Sequence, residues 1–342
     1  MLAVLSLTMS SCGIAWDIYE SQQDYLAPPR TIEANSEYEM IWDMSDIKVI
    51  GDSFCCYSTP SVISVSRKII IKGVDKGSYF DSAIIAIDSN SGEILWKIPD
   101  YNGGEMIAND QFLFRGTVGT VTIYAHDVEN GEFLWSRYLP WGHSATDMHY
   151  AENKVFVNDT NGRFSILSEQ GEILYDSNKP IGKYLDKYLE LNGILFMANA
   201  PLGIKAVEPS SGKELWVVDI DTRYAYDPVF DEGEIFTTAD NGSSVIYSID
   251  QYIGKVNWIV SRDALSNLCM MGDKIYFTNP DGYLVAINRY TGMEISKVEF
   301  SPKFDVEKQI SSYQIACDKA NNVLAISFGD NTQIMGLRVM NP

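Results

Sequence analysis

Residues Ala86–Trp96 read AIDSNSGEILW. An apolar run ends in Ile87-Asp88, a short polar turn leads to Gly92, and a second run carries Trp96. This is a hairpin in sequence form. The Asp88 side chain can cap the turn, and a glycine four residues later supplies the positive φ that a tight hairpin needs. The stretch recurs along the chain. AHDVENGEFLW ends at Trp135, ILSEQGEILY at Tyr175, AVEPSSGKELW at Trp216, SIDQYIGKVNW at Trp258 and AINRYTGMEIS at Ser296. The spacings are 39, 40, 41, 42 and 38 residues. A period near 40 built of short strands is the signature of a propeller blade.

Each repeat has the same internal order. Runs such as KVFVND, EIFTTAD and KIYFTNP precede the signature and are rich in β-branched and aromatic residues, as strands are. Asn161-Gly162, Asn241-Gly242 and Asp281-Gly282 mark the next turns. Gly92, Gly131, Gly171, Gly212, Gly254 and Gly292 then occupy the signature hairpins. Trp42, Trp96, Trp135, Trp216 and Trp258 share one strand position, with Tyr175 as its third-repeat equivalent; a ring fixed at a repeat position reads as packing between blades.

The two ends of the chain complete each other. Glu39-Met40-Ile41-Trp42 matches the strand of the signature, with Tyr38 in the place of the glycine. NNVLAISFGDNTQIMGLRVMNP supplies the last strands and stops where the next capping residue would stand. The fold read from these features is all-β: a seven-bladed β-propeller of four-stranded antiparallel blades, its ring closed by an N-terminal strand that completes the last blade. Closure removes the exposed sheet edges that invite aggregation.

Three segments follow along the chain. Residues 1–12, MLAVLSLTMSSC, resemble the end of a bacterial lipoprotein signal, in which a cysteine after small residues is lipidated; Cys12 takes that place. The segment departs from the pattern in having no Lys or Arg before the apolar run and Met9 where Leu is usual. Residues 13–36 are polar, contain Pro28-Pro29, and read as a flexible tether spanning ~25–30 Å. Residues 37–342 form the propeller.

The A-x-D-x-x-x-G-x-x-x-W pattern resembles the PQQ-like repeat propellers, and with the lipobox-like start it resembles the BamB family of outer-membrane assembly lipoproteins. That resemblance implies a non-enzymatic scaffold in the bacterial cell envelope, on the periplasmic face of a membrane, the outer membrane in particular. It implies a periplasmic or outer-membrane protein partner, membrane contact through the lipid alone, and no cofactor. The family carries eight blades, whereas seven are counted here. A second resemblance, to quinoprotein dehydrogenases, implies PQQ with Ca²⁺ in the funnel and a vicinal disulfide over it. Cys55 and Cys56 in SFCCYS would be that disulfide, or else an ordinary loop pair. They sit in the one long repeat, with 54 residues from Trp42 to Trp96. A third reading is a propeller that binds a small ligand or glycan, with Trp141 and His143 of RYLPWGHS at the funnel loop.

Other chemistry is sparse. Net charge is −20, which repels nucleic acid and anionic surfaces. The three histidines, His126, His143 and His149, have no metal-ligand spacing, and His126 falls inside a capping triplet. No phosphate loop or nucleophile elbow is present. Cys269 in SNLCMM and Cys317 in QIACD occupy equivalent inner-strand positions of successive blades and read as small buried residues.

Overall fold

The computed structural model describes residues 31–44, 47–49, 62–75, 82–100, 104–117, 121–139, 145–159, 163–177, 187–199, 203–208, 213–220, 224–225, 228–240, 244–264, 266–301, 314–328 and 333–342. Every sheet among them is antiparallel, and there are seven. Blade 1 carries Lys68–Asp75, Ser82–Asp88 and Ile94–Pro99. Blades 2 to 6 begin at Met106, Ala145, Lys187, Tyr224 and Cys269. Blade 7 pairs Gln314–Asp318, Val323–Phe328 and Gln333–Val339, and its outermost strand is Tyr38–Met44. The registers Tyr38↔Val339 and Met44↔Ile334 place the two ends of the chain in one sheet.

The second strand of each blade is apolar on both faces because each blade is covered by a neighbour on either side. Ile69, Ile70 and Ile71 are all fully buried. Ile70, Ile84 and Ala86 of blade 1 pack on Met106, Leu113 and Val128 of blade 2. Phe236 and Ile246 of blade 5 pack on Met270, Ile275 and Phe277 of blade 6. Each of the Ile, Leu, Met, Val and Phe side chains among them contributes about 1.5–3 kcal/mol.

The repeat tryptophan latches one blade to the next. Trp42, Trp96, Trp135, Trp216 and Trp258 donate their indole N–H to the carbonyls of Ser89, Val128, Glu169, Gln251 and Arg289, at 2.7–3.2 Å. Each acceptor lies in the following blade's signature turn, and the turn's glycine lies under the indole. A Cβ on Gly131 would sit 2.9 Å from Trp96, and one on Gly292 would sit 2.8 Å from Trp258. Both glycines also hold positive φ, 75° and 67°, so they are required twice over.

The seam between blades 6 and 7 reverses this arrangement. Ser296 stands in the tryptophan position, and Tyr38 stands in the glycine position. The buried Tyr38 ring fills the space, its hydroxyl 2.9 Å from the Ser296 Oγ. Burial raises the pKa of this phenol. Tyr38 is permitted because no hairpin precedes it. Asn35 caps the strand instead, accepting from the Glu37 and Tyr38 amides at 2.8 and 3.0 Å.

Three further features of this seam were not anticipated. Cys269 and Cys317 are joined in a disulfide between the inner strands of blades 6 and 7, with Cα atoms 5.8 Å apart. The sequence reading of two independent small residues is corrected. Near the propeller axis equivalent inner-strand positions converge to within bridging distance. Two residues back along both strands, Asn267 accepts from the Ile315 amide and donates to its carbonyl, each at 2.9 Å. In addition, Thr31–Ile32 pairs with Ser301 and Phe300 as a fifth strand on blade 6. The last residues of the segment read as a flexible tether are therefore part of the fold.

Candidate functional site

A propeller of this topology has two ends. The turn end carries the signature hairpins together with the tight turns between inner and second strands, such as Glu152-Asn153 and Glu232-Gly233. The funnel end carries the connections from each blade to the next. At the funnel end the inner seams are tied by single side chains. The buried Glu105 accepts from the Met148 amide across blades 2 and 3. Gln314 accepts from the Val62 amide at 3.1 Å across blades 7 and 1. Asp100 and Arg115 pair at 3.1 Å across blades 1 and 2. These groups are committed to holding the ring.

His126 belongs to the same seam as Arg115. Its Nδ1 donates to the Gly131 carbonyl at 3.1 Å, which leaves Nε2 to accept from the Arg115 Nε at 3.4 Å. Arg115 also lies 4.2 Å above the Tyr124 ring. Burial lowers the pKa of His126; the Gly131 carbonyl opposes this, Arg115 reinforces it and Asp100 opposes it. The imidazole is thus held neutral as a packing element of the turn, in keeping with its place in the capping triplet. Among the described residues no group of three or more His, Cys, Asp or Glu side chains is placed to hold a metal ion.

The signature hairpins form as the sequence requires. Asp88 accepts from the Asn90 and Ser91 amides at 3.0 and 2.8 Å, and Asp250 accepts from Tyr252 and Ile253 at 2.8 and 3.0 Å. Gly92, Gly131, Gly171, Gly254 and Gly292 all hold positive φ. Tyr175 packs against Phe164, with ring centroids 6.0 Å apart. Cys12, Cys55, Cys56, Trp141, His143 and Gly212 lie outside the described residues. The flanks of the cysteine pair are nonetheless informative. Ile47–Val49 and Val62–Val65 both pair with the same edge of Lys68–Asp75, so the inner strand of blade 1 is built from two pieces.

The family model for outer membrane protein assembly factor BamB matches residues 81–185 and 189–332. The chain belongs to the BamB family. The match covers more than half of the chain and includes the signatures ending at Trp96, Trp135, Tyr175, Trp216, Trp258 and Ser296. Among solved structures, BamB from Moraxella catarrhalis aligns at a TM-score of 0.53 and 11% identity, over 89% of this chain and 98% of that one. The computationally designed Ika8 protein aligns at 0.56 and 14%, over 82% and 96%. A chain of a mitotic checkpoint complex aligns at 0.65 and 12%, over the whole of both. At these identities the structural likeness shows the propeller fold alone. No curated protein matches the sequence.

One group of exposed side chains on this BamB-family propeller escaped the sequence reading. Tyr252, Ile253, Tyr290 and Met293 stand exposed on the signature hairpins of blades 5 and 6. The signal was present in the repeat. The same positions hold Asn90, Ser91 and Glu93 in blade 1, and Glu129, Asn130 and Glu132 in blade 2.

Proposed function

We propose that this protein is a non-enzymatic scaffold of the bacterial cell envelope, lipid-anchored through Cys12 at the periplasmic face of the outer membrane. It binds a protein partner during outer-membrane protein assembly. The observation that carries the reading is the BamB-family match over residues 81–185 and 189–332. It is supported by the use of the funnel-end polar groups as ties between blades, and by a formal charge of −20 that disfavours direct contact with anionic lipid. The reading assigns no cofactor to the funnel.

The test has two arms. Membrane fractions of cells expressing the chain should retain it after a salt wash, and Cys12→Ala should release it to the soluble periplasmic fraction. The chain should also co-purify with the outer-membrane β-barrel assembly machinery. A protein that is soluble with Cys12 intact contradicts the anchor. One that fails to associate with that machinery after crosslinking contradicts the scaffold role.

A further inference from the structure

The bridge between Cys269 and Cys317 joins two sheets that share no strand pairing. Cys269–Met271 pairs with Lys274–Thr278 in blade 6, and Gln314–Asp318 pairs with Val323–Phe328 in blade 7. The two sulfurs therefore meet only when blade 7 is packed on blade 6. Blade 7 in turn takes its outer strand, Tyr38–Met44, from the other end of the chain. Residues 48 apart are distant in an unfolded chain, so the closed ring is what brings these thiols together.

The seam is built to hold them there. The Asn267 carboxamide bonds both backbone groups of Ile315, each at 2.9 Å, two residues before the cysteines on both strands. Just ahead of the blade 6 strand, the Ser266 Oγ accepts from the Thr278 amide at 2.9 Å. Cys269, Met271, Tyr276, Ile315 and Leu324 share one buried cluster. The two cysteines differ within it. Cys269 is 5% exposed, whereas Cys317 is only partly buried. One is sealed within the seam and the other is reachable from outside it.

We propose that Cys269 and Cys317 are an oxidation site, made as the ring closes by exchange with an external disulfide that enters at Cys317. The Cys317 thiolate attacks one sulfur of the oxidant, forms a mixed disulfide and releases the oxidant's other sulfur as a thiolate. The Cys269 thiolate then attacks the Cys317 sulfur, forms the bridge and releases the second thiolate. The two cysteines give up two protons and two electrons, and the oxidant ends as two thiols. Exchange by this route depends on which sulfur can be reached. Bridges between thiols form and persist in oxidising compartments. The site therefore points to folding outside a reducing cytosol, on an observation separate from the family match. It needs no partner at the propeller loops, so its failure would leave the scaffold reading untouched.

The full chain, reduced with dithiothreitol and then freed of it, tests this with glutathione as the probe. It is equilibrated with mixtures of oxidised and reduced glutathione, in buffer and in unfolding urea. The bridged peptide is then quantified by mass mapping after alkylation. Folding should raise the equilibrium constant for bridging by at least about thirtyfold, the factor that matches a crosslink over a loop of this length. Equal constants in buffer and in urea overturn the proposal, as do free thiols at both positions in chain exported to the periplasm. Single variants read the entry point. In buffer, Cys269→Ser should take up glutathione at Cys317 at least about tenfold faster than Cys317→Ser does at Cys269, because access to the sulfur sets the rate. In urea the two rates should match. Equal rates in buffer, from variants with the circular dichroism of the parent, overturn entry at Cys317. An oxidised dithiol protein in place of glutathione distinguishes the source. Bridging of the folded chain by glutathione alone assigns a small disulfide, bridging by both extends the site to a protein oxidant, and bridging by neither overturns the proposal.

Discussion

Five seams in this propeller set a large ring on one blade against a glycine on the next, whereas the seam between blades 6 and 7 sets a tyrosine against a serine with the sizes exchanged. In both cases a large ring lies between the blades, but it comes from opposite sides of the seam. A hairpin turn demands glycine, so at ordinary seams the bulk must come from the outer strand of the preceding blade. The closing strand follows no hairpin. Tyr38 is free to be large, and Ser296 can be small. The same seam carries the disulfide, the Asn267 clasp and the Thr31–Ile32 strand. A ring whose last blade is assembled from both ends of the chain has its slowest-forming contacts there, because they span the greatest sequence separation. Extra fastening at that point is physically reasonable.

The largest expected effect comes from removing the closing strand. Deleting Glu37–Met44 strips blade 7 of its outer strand and exposes the edge of Gln333–Val339. Cooperative thermal unfolding should be lost or shifted far downward; an unchanged melting curve would mean that the strand is not integral to the ring. Trp96→Ala tests an ordinary latch. It removes a buried indole and its bond to Val128, and should cost ~3–5 kcal/mol in denaturant unfolding. A cost under ~1 kcal/mol would show that the latch adds little beyond surface packing. Cys269→Ser with Cys317→Ser tests the closure seam. Releasing a crosslink across 48 residues should cost about 2–4 kcal/mol, and dithiothreitol should lower the parent's stability to the level of the double variant.

The smallest effect is one of pH at the seam between blades 1 and 2. His126 has a lower pKa folded than its ordinary 6.5. The unfolded chain therefore takes up a proton first, and stability rises with pH in that window. The contribution is fully present above pH 6.5 and is lost as pH falls through the depressed folded value. Protonation would also turn Nε2 from an acceptor into a second donor facing Arg115. His126→Gln should flatten that part of the stability–pH curve, as read by urea midpoints over the acid range. An identical slope in the variant would assign it to other groups.

The outer half of each blade was legible in the sequence because its hairpin imposes residue types. Asp88, Gly92 and Trp96 are each demanded by backbone or packing, and their recurrence gives both the period and the count of blades. The inner half was less so. Inner strands converge near the axis, and a repeat alignment records which positions are equivalent without recording how close they come. Cys269 and Cys317 were recognised as equivalent for that reason, yet not as bonded. The two-piece inner strand of blade 1 was hidden similarly, since Ile47–Val49 carries no turn signal that separates it from the Tyr38–Met44 strand. The rim of blades 5 and 6 could have been found by aligning the turns and asking where the unconstrained positions change from polar to apolar.

The exchange of sizes at the closing seam is tested most directly by a double-mutant cycle. Tyr38→Gly should open a cavity, and Ser296→Trp should overfill the seam against Tyr38. Together they rebuild the arrangement of the other seams. The account predicts that unfolding free energies show a favourable coupling of about 1–3 kcal/mol, with the double variant more stable than the sum of the single losses allows. Losses that add to within about 0.5 kcal/mol would contradict it, because two residues sharing one space cannot be independent.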